Sequence, residues 1–298
     1  MFRSVLGSTI FGVSVVWWIL YIWLARQKLS VEEDVTSRLY FSKADSDNPT
    51  NLRRKRKVIV AFPYNGETVT VDSKLVDILI VAESRFSQRG GIKSANKWGE
   101  KSVKAKRVVH TVLNQNFYSI QNKWGQEVQI RRHLGTVIKD LYKKGEVIDD
   151  DVVVVVDADE VINDMTLYNL GRNGLKNRTV AEANLIWNLY NRCWVHQRET
   201  RVKVAVSVLT LRNEFNWNTH LVRASRSLPY ISLELAGYHC SWCFFSPSQF
   251  REKIKFMTDG DATPYPMYEN ENWSNKKIDF FMKNGLWLDG NVHGKYVC

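Results

Sequence analysis

From residue 58 onward the apolar positions fall into short continuous runs separated by helical stripes, the alternation expected of a βαβ chain. Val58 to Phe62 reads as a first strand, ending in Pro63-Tyr64-Asn65-Gly66, and Val76 to Ala82 as a second, ending at Glu83-Ser84. Arg107 to Leu113 reads as a third. Val128 to Tyr142 reads as a helix, with Ile130, Leu134, Val137, Ile138 and Leu141 on one face. Val152 to Val156 is an unbroken β-branched run with no polar side. Such a run predicts a central strand of a parallel sheet, covered by helices on both faces. Extended stretches follow near 179–190, 202–211 and 233–242, then two short helices near 247–257 and 274–283.

The valine run ends in Asp157-Ala158-Asp159-Glu160. Ligands of open α/β sheets bind beyond the carboxyl ends of the strands, which is where these acids stand. On an extended chain Asp157 and Asp159 would point the same way, roughly 7 Å apart. Mg²⁺ or Mn²⁺ is typically held by one or two carboxylates, with phosphate oxygens and waters completing the shell, so this pair suggests a metal–diphosphate site. The spacing alone is weak, because Asp45/Asp47, Asp149/Asp151 and Asp259/Asp261 repeat it and an ordinary Asp-x-Asp is a solvated turn. Only Asp157/Asp159 follows a strand. Asn65 and Glu83, at the ends of the first two strands, would face the same edge as candidate donor-binding groups, with a helix cap or surface charge as the alternative for Glu83.

Four segments are read from the chain: a tail (1–4), a transmembrane signal anchor (5–25), a polar stem (26–57) and a catalytic domain (58–298). Val5 to Ala25 contains no charged side chain, and as a helix it would be on the order of 31 Å long, enough to cross a bilayer. It is too long for a cleaved signal core, and Trp17, Trp18, Tyr21 and Trp23 resemble an interfacial belt. The stem carries Arg53-Arg54-Lys55-Arg56-Lys57, which suits an anionic membrane surface, nucleic acid or simply a solvated stem; the solvated stem is preferred because no nucleic-acid motif accompanies the run, and no nucleic-acid partner is expected. A net charge of +11 suits any polyanion or a sugar-nucleotide diphosphate. Cysteines 193, 240, 243 and 298 fit either a lumenal protein with disulfides or a reduced one. Cys240 and Cys243 lack the second pair that a zinc site needs. Asn177-Arg178-Thr179 and Asn272-Trp273-Ser274 are glycosylation acceptors if this part of the chain is lumenal.

Residues 235–245, Leu-Ala-Gly-Tyr-His-Cys-Ser-Trp-Cys-Phe-Phe, resemble the Ala-Gly-Trp-His-Cys-Ser-Trp-Cys-Phe signature of glycosyltransferase family 17, the β-1,4-mannosyl-glycoprotein 4-β-N-acetylglucosaminyltransferases. Three further segments agree in order. Val76-Asp77 through Glu83-Ser84-Arg85-Phe86-Ser87 is similar to the family's Val-Asp strand ending in Glu-Ser-Asn-Phe-Thr. Asp150-Asp151-Val152 through Asp157-Ala158-Asp159-Glu160 is similar to its Asp-Asp-Val strand ending in Asp-Asp-Ala-Asp-Glu. Gly285-Leu286-Trp287-Leu288-Asp289-Gly290 is similar to its Gly-Trp-Phe-Asp-Gly, preceded by Gly260-Asp261.

The resemblance implies an α/β protein with a GT-A-like, mostly parallel sheet flanked by helices and preceded by one N-terminal transmembrane helix. It implies a single-pass type II Golgi membrane enzyme with a lumenal catalytic domain. Such an enzyme moves N-acetylglucosamine, with inversion, from UDP-N-acetylglucosamine to the 4-hydroxyl of the core β-mannose of N-glycans. The cation, Mn²⁺ or Mg²⁺, would be held by Asp157 and Asp159, with His239 either a third ligand or a core histidine. Asp289 and Glu160 are the candidate bases. Trp242 and Trp287 are candidate sugar-stacking groups or core residues. Two departures matter: Val156 stands where the family has its first acid, and the segment between Glu67 and Val76 is short. The alternative function is a membrane-anchored member without activity that binds glycan or partner enzymes.

Overall fold

The computed structural model describes residues 56–64, 74–88, 90–93, 105–119, 122, 124–190, 193–196, 198, 200–243, 247–248, 250–251, 274–286 and 294–296. The chain divides into two units, Met1–Arg53 and Arg54–Cys298. The first, which contains the expected membrane anchor, lies outside the described residues. Among the described residues no helix is long and apolar enough to cross a membrane.

The second unit follows the alternation that the hydrophobic pattern predicts. Strands β1 (Val58–Tyr64), β2 (Ile78–Ser84) and β3 (Val108–Leu113) precede helix α1 (Gly125–Lys143) and strand β4 (Val152–Val155). Then come β5 (Glu160–Ile162), α2 (Asp164–Asn173), β6 (Val180–Leu189), β7 (Trp194–His196), β8 (Thr200–Ser207), α3 (Val208–Phe215), α4 (Thr219–Ala224), β9 (Tyr230–Ser241), α5 (Asn275–Asn284) and β10 (Gly294–Tyr296).

One sheet runs β10-β7-β6-β8-β4-β1-β2-β3, with β5 and β9 joined at its side. The expected parallel sheet is the β4-β1-β2-β3 half. Beyond β4 the pairing turns antiparallel through β8, β6 and β7, although β6 and β9 are parallel. The residues near 208–211 are helical instead of extended: Ser207 caps α3 by accepting from the Thr210 backbone N–H, which ends β8 there. Helix α2 carries start and stop signals that hydrophobic period alone does not show, an Asn163 cap accepting from Thr166 and Gly174 at its end.

Period-two alternation sorts β4 between two cores. Val152, Val154 and Val156 pack with Val58, Val60, Leu167 and Leu170 on the α2 side. Val153 and Val155 pack with Ile59, Ile130, Leu134 and Ile138 on the α1 side. Each such buried valine contributes about 1.5–3 kcal/mol relative to exposure. A third cluster joins Leu189, Tyr190, Trp242 and Phe250 to Ile278 and Phe281 of α5. Trp242, 2% exposed, is therefore a core residue and not a sugar platform.

Two aspartates of the family-like segments have structural work at the opposite end of the sheet from the site. Asp151, fully buried, accepts from the backbone N–H groups of Lys57 and Ile148 at 2.8 and 2.9 Å. Asp77 accepts from the Val58 N–H at 3.0 Å. Both clamp the entry of β1 between its neighbours, so the repeated acid spacing at 149–151 belongs to strand capping.

Candidate active site

The chain does not stay extended through the acids. The Glu160 N–H donates to the Asp157 carbonyl at 3.0 Å, closing a turn, and the Asp157 N–H donates to Glu160 Oε2 at 2.8 Å. The expected extended spacing of Asp157 and Asp159 is thus replaced by a turn at the carboxyl end of β4. Val156, 4% exposed, precedes that turn inside the α2-side core.

Asp157 is held by two arginines. Arg131 of α1 donates to Oδ1 at 2.6 Å and Arg223 of α4 to Oδ2 at 3.1 Å. Arg223 also forks onto Glu160, at 2.8 Å to Oε2 and 2.7 Å to Oε1, and Arg131 reaches Glu127 Oε1 one turn earlier on α1 at 2.9 Å. The result is an alternating ladder: Glu127, Arg131, Asp157, Arg223, Glu160. Burial works against charge throughout it. For Asp157 the two guanidinium groups outweigh burial and hold the carboxyl below its usual range. Burial wins at Glu160, which is raised despite Arg223, and at Glu127, which is pushed up to about 7 against the pull of Arg131. Arg131 and Arg223 are both raised: burial opposes their charge, but the surrounding carboxylates outweigh it.

Asp159 takes a different partner. Strand β5 pairs antiparallel with β9, setting Glu160 opposite His239, and the Cys240 N–H donates to the Asp159 carbonyl at 2.8 Å. This register brings the two most distinctive sequence segments together and leaves Asp159 Oδ2 3.5 Å from His239 Nε2. Behind His239, Trp187 of β6 donates from Nε1 to Ser241 Oγ at 2.8 Å, and that oxygen lies 3.3 Å from His239 Nε2. The indole is stacked between His196 and His239, with centroids 4.0 and 6.0 Å away. Cys240 and Cys243 form a disulfide just after His239, which excludes a zinc role for that pair. Cys193 is also disulfide-bonded.

Glu83, 3% exposed, closes β2 beside Tyr64, with Oε1 3.4 Å from His110 Nε2. Its neighbour Ser84 accepts from Gln126 Nε2 at 2.6 Å, which ties the end of β2 to α1. Asn65, Asp289 and Trp287 lie outside the described residues. Glu160, the other candidate base, is 3% exposed in its side chain and forms a two-oxygen fork with Arg223, a placement that clamps the turn.

Among the described residues no group of three or more His, Cys, Asp or Glu side chains is assembled as a metal cage. Asp157, with both oxygens committed to guanidinium groups, does not fit as a direct ligand. Asp159 and His239 do fit. Adjacent ligands of an octahedral ion at about 2.1 Å sit about 3 Å apart, close to the observed spacing, and two protein ligands suffice where a diphosphate supplies the others.

The sequence profile of glycosyltransferase family 17 matches residues 73–280. The chain belongs to glycosyltransferase family 17. No curated relative matches the sequence. Among solved structures, a 4-diphosphocytidyl-2C-methyl-D-erythritol synthase is 11% identical, with 70% of this chain and 96% of that one covered and a TM-score of 0.31. The 2-C-methyl-D-erythritol 4-phosphate cytidylyltransferase of Francisella tularensis is 14% identical, with 67% and 100% covered and a TM-score of 0.32. The inositol-1-phosphate CTP transferase from T. maritima is 10% identical, with 74% and 99% covered and a TM-score of 0.28.

As a family 17 glycosyltransferase the chain is a transferase acting between a glycosyl donor and an acceptor. Glu83, Asp157, Asp159, Glu160 and His239 fall inside the matched region, and Asn65 and Asp289 fall outside it. Sequence reading of this family 17 chain missed Glu127, Arg131, Arg223 and Trp187. The spacing of Glu127 and Arg131, four apart at the start of a predicted helix, was a visible signal. Arg223 and Trp187 become functional candidates only through the fold.

Proposed function

We propose that this chain is a metal-dependent, inverting glycosyltransferase that moves N-acetylglucosamine from UDP-N-acetylglucosamine to the 4-hydroxyl of the core β-mannose of N-glycans. The observation that carries this reading is the β5–β9 register, which sets Asp159 Oδ2 3.5 Å from His239 Nε2 at the carboxyl edge of the parallel half-sheet. Asp159 and His239 would hold the cation, Mn²⁺ or Mg²⁺. When bound, the ion neutralises charge on the departing diphosphate. Asp157, Arg131 and Arg223 keep the turn rigid, and Glu83 is the donor-side group of the same edge, with Asn65, which follows β1 directly in sequence, proposed for the same role. The disulfides favour an oxidising lumenal compartment, which accords with a Golgi type II protein anchored by Val5 to Ala25.

The test is transfer by the full-length chain from a panel of UDP-sugars to a core N-glycan, with and without Mn²⁺. Cation-dependent formation of an N-acetylglucosaminyl product is expected. A preference for another UDP-sugar would change the donor, and no transfer from any would remove the activity.

One observation favours a second reading, a glycan- or partner-binding member without activity: both oxygens of Asp157 are occupied by arginine. That reading requires that Mn²⁺ leave UDP-sugar binding unchanged, which calorimetry measures directly.

A further inference from the structure

Inversion requires a base beside the acceptor hydroxyl, and the acids of the site are not equivalent. Glu160 is sealed beneath Arg223, and Asp157 is gripped by two guanidinium groups. Asp159 faces His239. Glu127 differs from these. It stands in the first turn of α1, one helical turn from Arg131, with Oε1 2.9 Å from Arg131 Nη1. Its Oε2 is held by a neutral amide, accepting from Gln88 Nε2 at 2.9 Å. Its side chain is 19% exposed, well above the 3% of Glu160 though below the 24% of Asp159 and the 30% of Asp157, and only one of its oxygens meets a guanidinium group.

We propose, on the reading of the chain as an inverting transferase, that Glu127 is its catalytic base, positioned by Gln88 and Arg131 beside the Asp157–Asp159 turn. In the step it performs, the acceptor oxygen bonds to the anomeric carbon while its proton passes to the Glu127 carboxylate. The bond from that carbon to the diphosphate oxygen breaks, and its electron pair leaves with the nucleotide. The products are the glycoside, the free nucleoside diphosphate and a protonated Glu127. The amide and guanidinium contacts fix the carboxylate's plane, leaving a lone pair for the incoming hydroxyl.

The groups facing Glu127 set when it is ready. Burial pushes it up to about 7, Arg131 and Arg223 lower it, and Asp157 and Asp159 raise it. A general base tuned toward the working pH combines availability with proton affinity. A cation at Asp159 draws the carboxyl down. The loaded enzyme should therefore gain activity as pH rises through a value between 4.5 and about 7.

The experiment measures steady-state cleavage of UDP-N-acetylglucosamine by the full-length chain with Mn²⁺, with water and with a core N-glycan as acceptors, from pH 5 to 9. It is run on wild type, Glu127→Gln, Glu127→Asp and Asp289→Asn, alongside calorimetric titration of the donor. Glu127→Gln is expected to lower kcat by about 10²-fold or more and to abolish the acidic limb, with donor Kd within twofold. Glu127→Asp should keep a slower rate with a limb. A Glu127→Gln enzyme within tenfold of wild type, or one that keeps the limb while Asp289→Asn loses it, overturns the assignment and leaves the transferase reading intact. Absence of cleavage by wild type, with donor still bound, overturns both.

Discussion

Gly237 lies against the carbonyl of Val161 so closely that a Cβ there would sit 1.9 Å from the oxygen. This contact is what lets β9 pair with β5, with Ile162 opposite Gly237 and Glu160 opposite His239. The glycine of the Ala-Gly-Tyr-His segment is thus required by backbone approach, two residues before the histidine that it helps place.

Gly237→Ala is therefore expected to wedge β5 from β9. Because the obstructing atom is backbone, no side chain can swing aside, and a loss of about 2 kcal/mol or more is expected. Differential scanning calorimetry should show the drop in Tm, and Mn²⁺ affinity should fall with it. Unchanged Mn²⁺ affinity in a destabilised Gly237→Ala protein would separate the glycine from the site.

Asp157 and Asp159 should part company on substitution. Asp159→Asn removes a ligand from the proposed cation pair and should reduce transfer at least ~10²-fold with Tm nearly unchanged. Asp157→Ala leaves Arg131 and Arg223 without their shared carboxylate, and breaking such a part-buried pair should cost about 2 kcal/mol or more. Equal losses of stability in the two variants would contradict this division of labour.

Much of this division could not be read from the chain. The unbroken valines at 152–156 located the central strand, and the acids after them mark the candidate site, because burial on both faces leaves a strand no polar option until it ends. Hydrophobic period also found α1 and β1 through β3. It placed the extended stretches that become β6, β8 and β9, but not the antiparallel pairing, and it missed β5 and β7, which carry too few residues for a pattern. The turn at Asp157–Glu160 depends on the Asp157 N–H donating to the Glu160 carboxylate just beyond β4, and the Arg223 clamp on a contact across 63 positions, neither of which has a local signature. His239 was legible only through the family-like segment; the reason that it meets Asp159 is a strand register.

Stability should respond to pH at Glu127 with a definite sign. Its carboxyl has an ordinary value of 4.5 and is pushed up to about 7 in the folded chain. A group raised on folding contributes stability that is full below its unfolded value and is lost as pH rises through the folded one. Glu127→Gln should therefore raise Tm relative to wild type at pH 8 and leave it little changed at pH 4, while lowering transfer. A Tm gain of the same size at both pH values would show that the carboxyl is not shifted by folding.

Asn177 offers a check on topology. It is exposed, in the turn before β6, within Asn177-Arg178-Thr179. If this domain is lumenal, glycosidase treatment should shift the mobility of the expressed protein, and Asn177→Gln should remove part of that shift. An unmodified Asn177 together with digestion of the domain by protease added from the cytosolic side would contradict the proposed orientation.

Val156 separates a working site from a degraded one, because the family pattern has an acid at this position. Side chains alternate along β4 and just beyond it, so Val156 joins Val152 and Val154 in the α2-side core, while Asp157 turns to Arg131 on the α1 side. An acid at 156 would therefore stand among Leu167, Leu170 and Val60 and not beside Asp159. Val156→Asp should cost a few kcal/mol, about what burying an unpaired polar group demands. It should leave Mn²⁺ affinity no higher. Thermal unfolding and Mn²⁺ titration on the same preparation decide it: a gain in cation affinity at unchanged Tm would mean that the strand can present this position to the site, and that the valine marks a lost ligand.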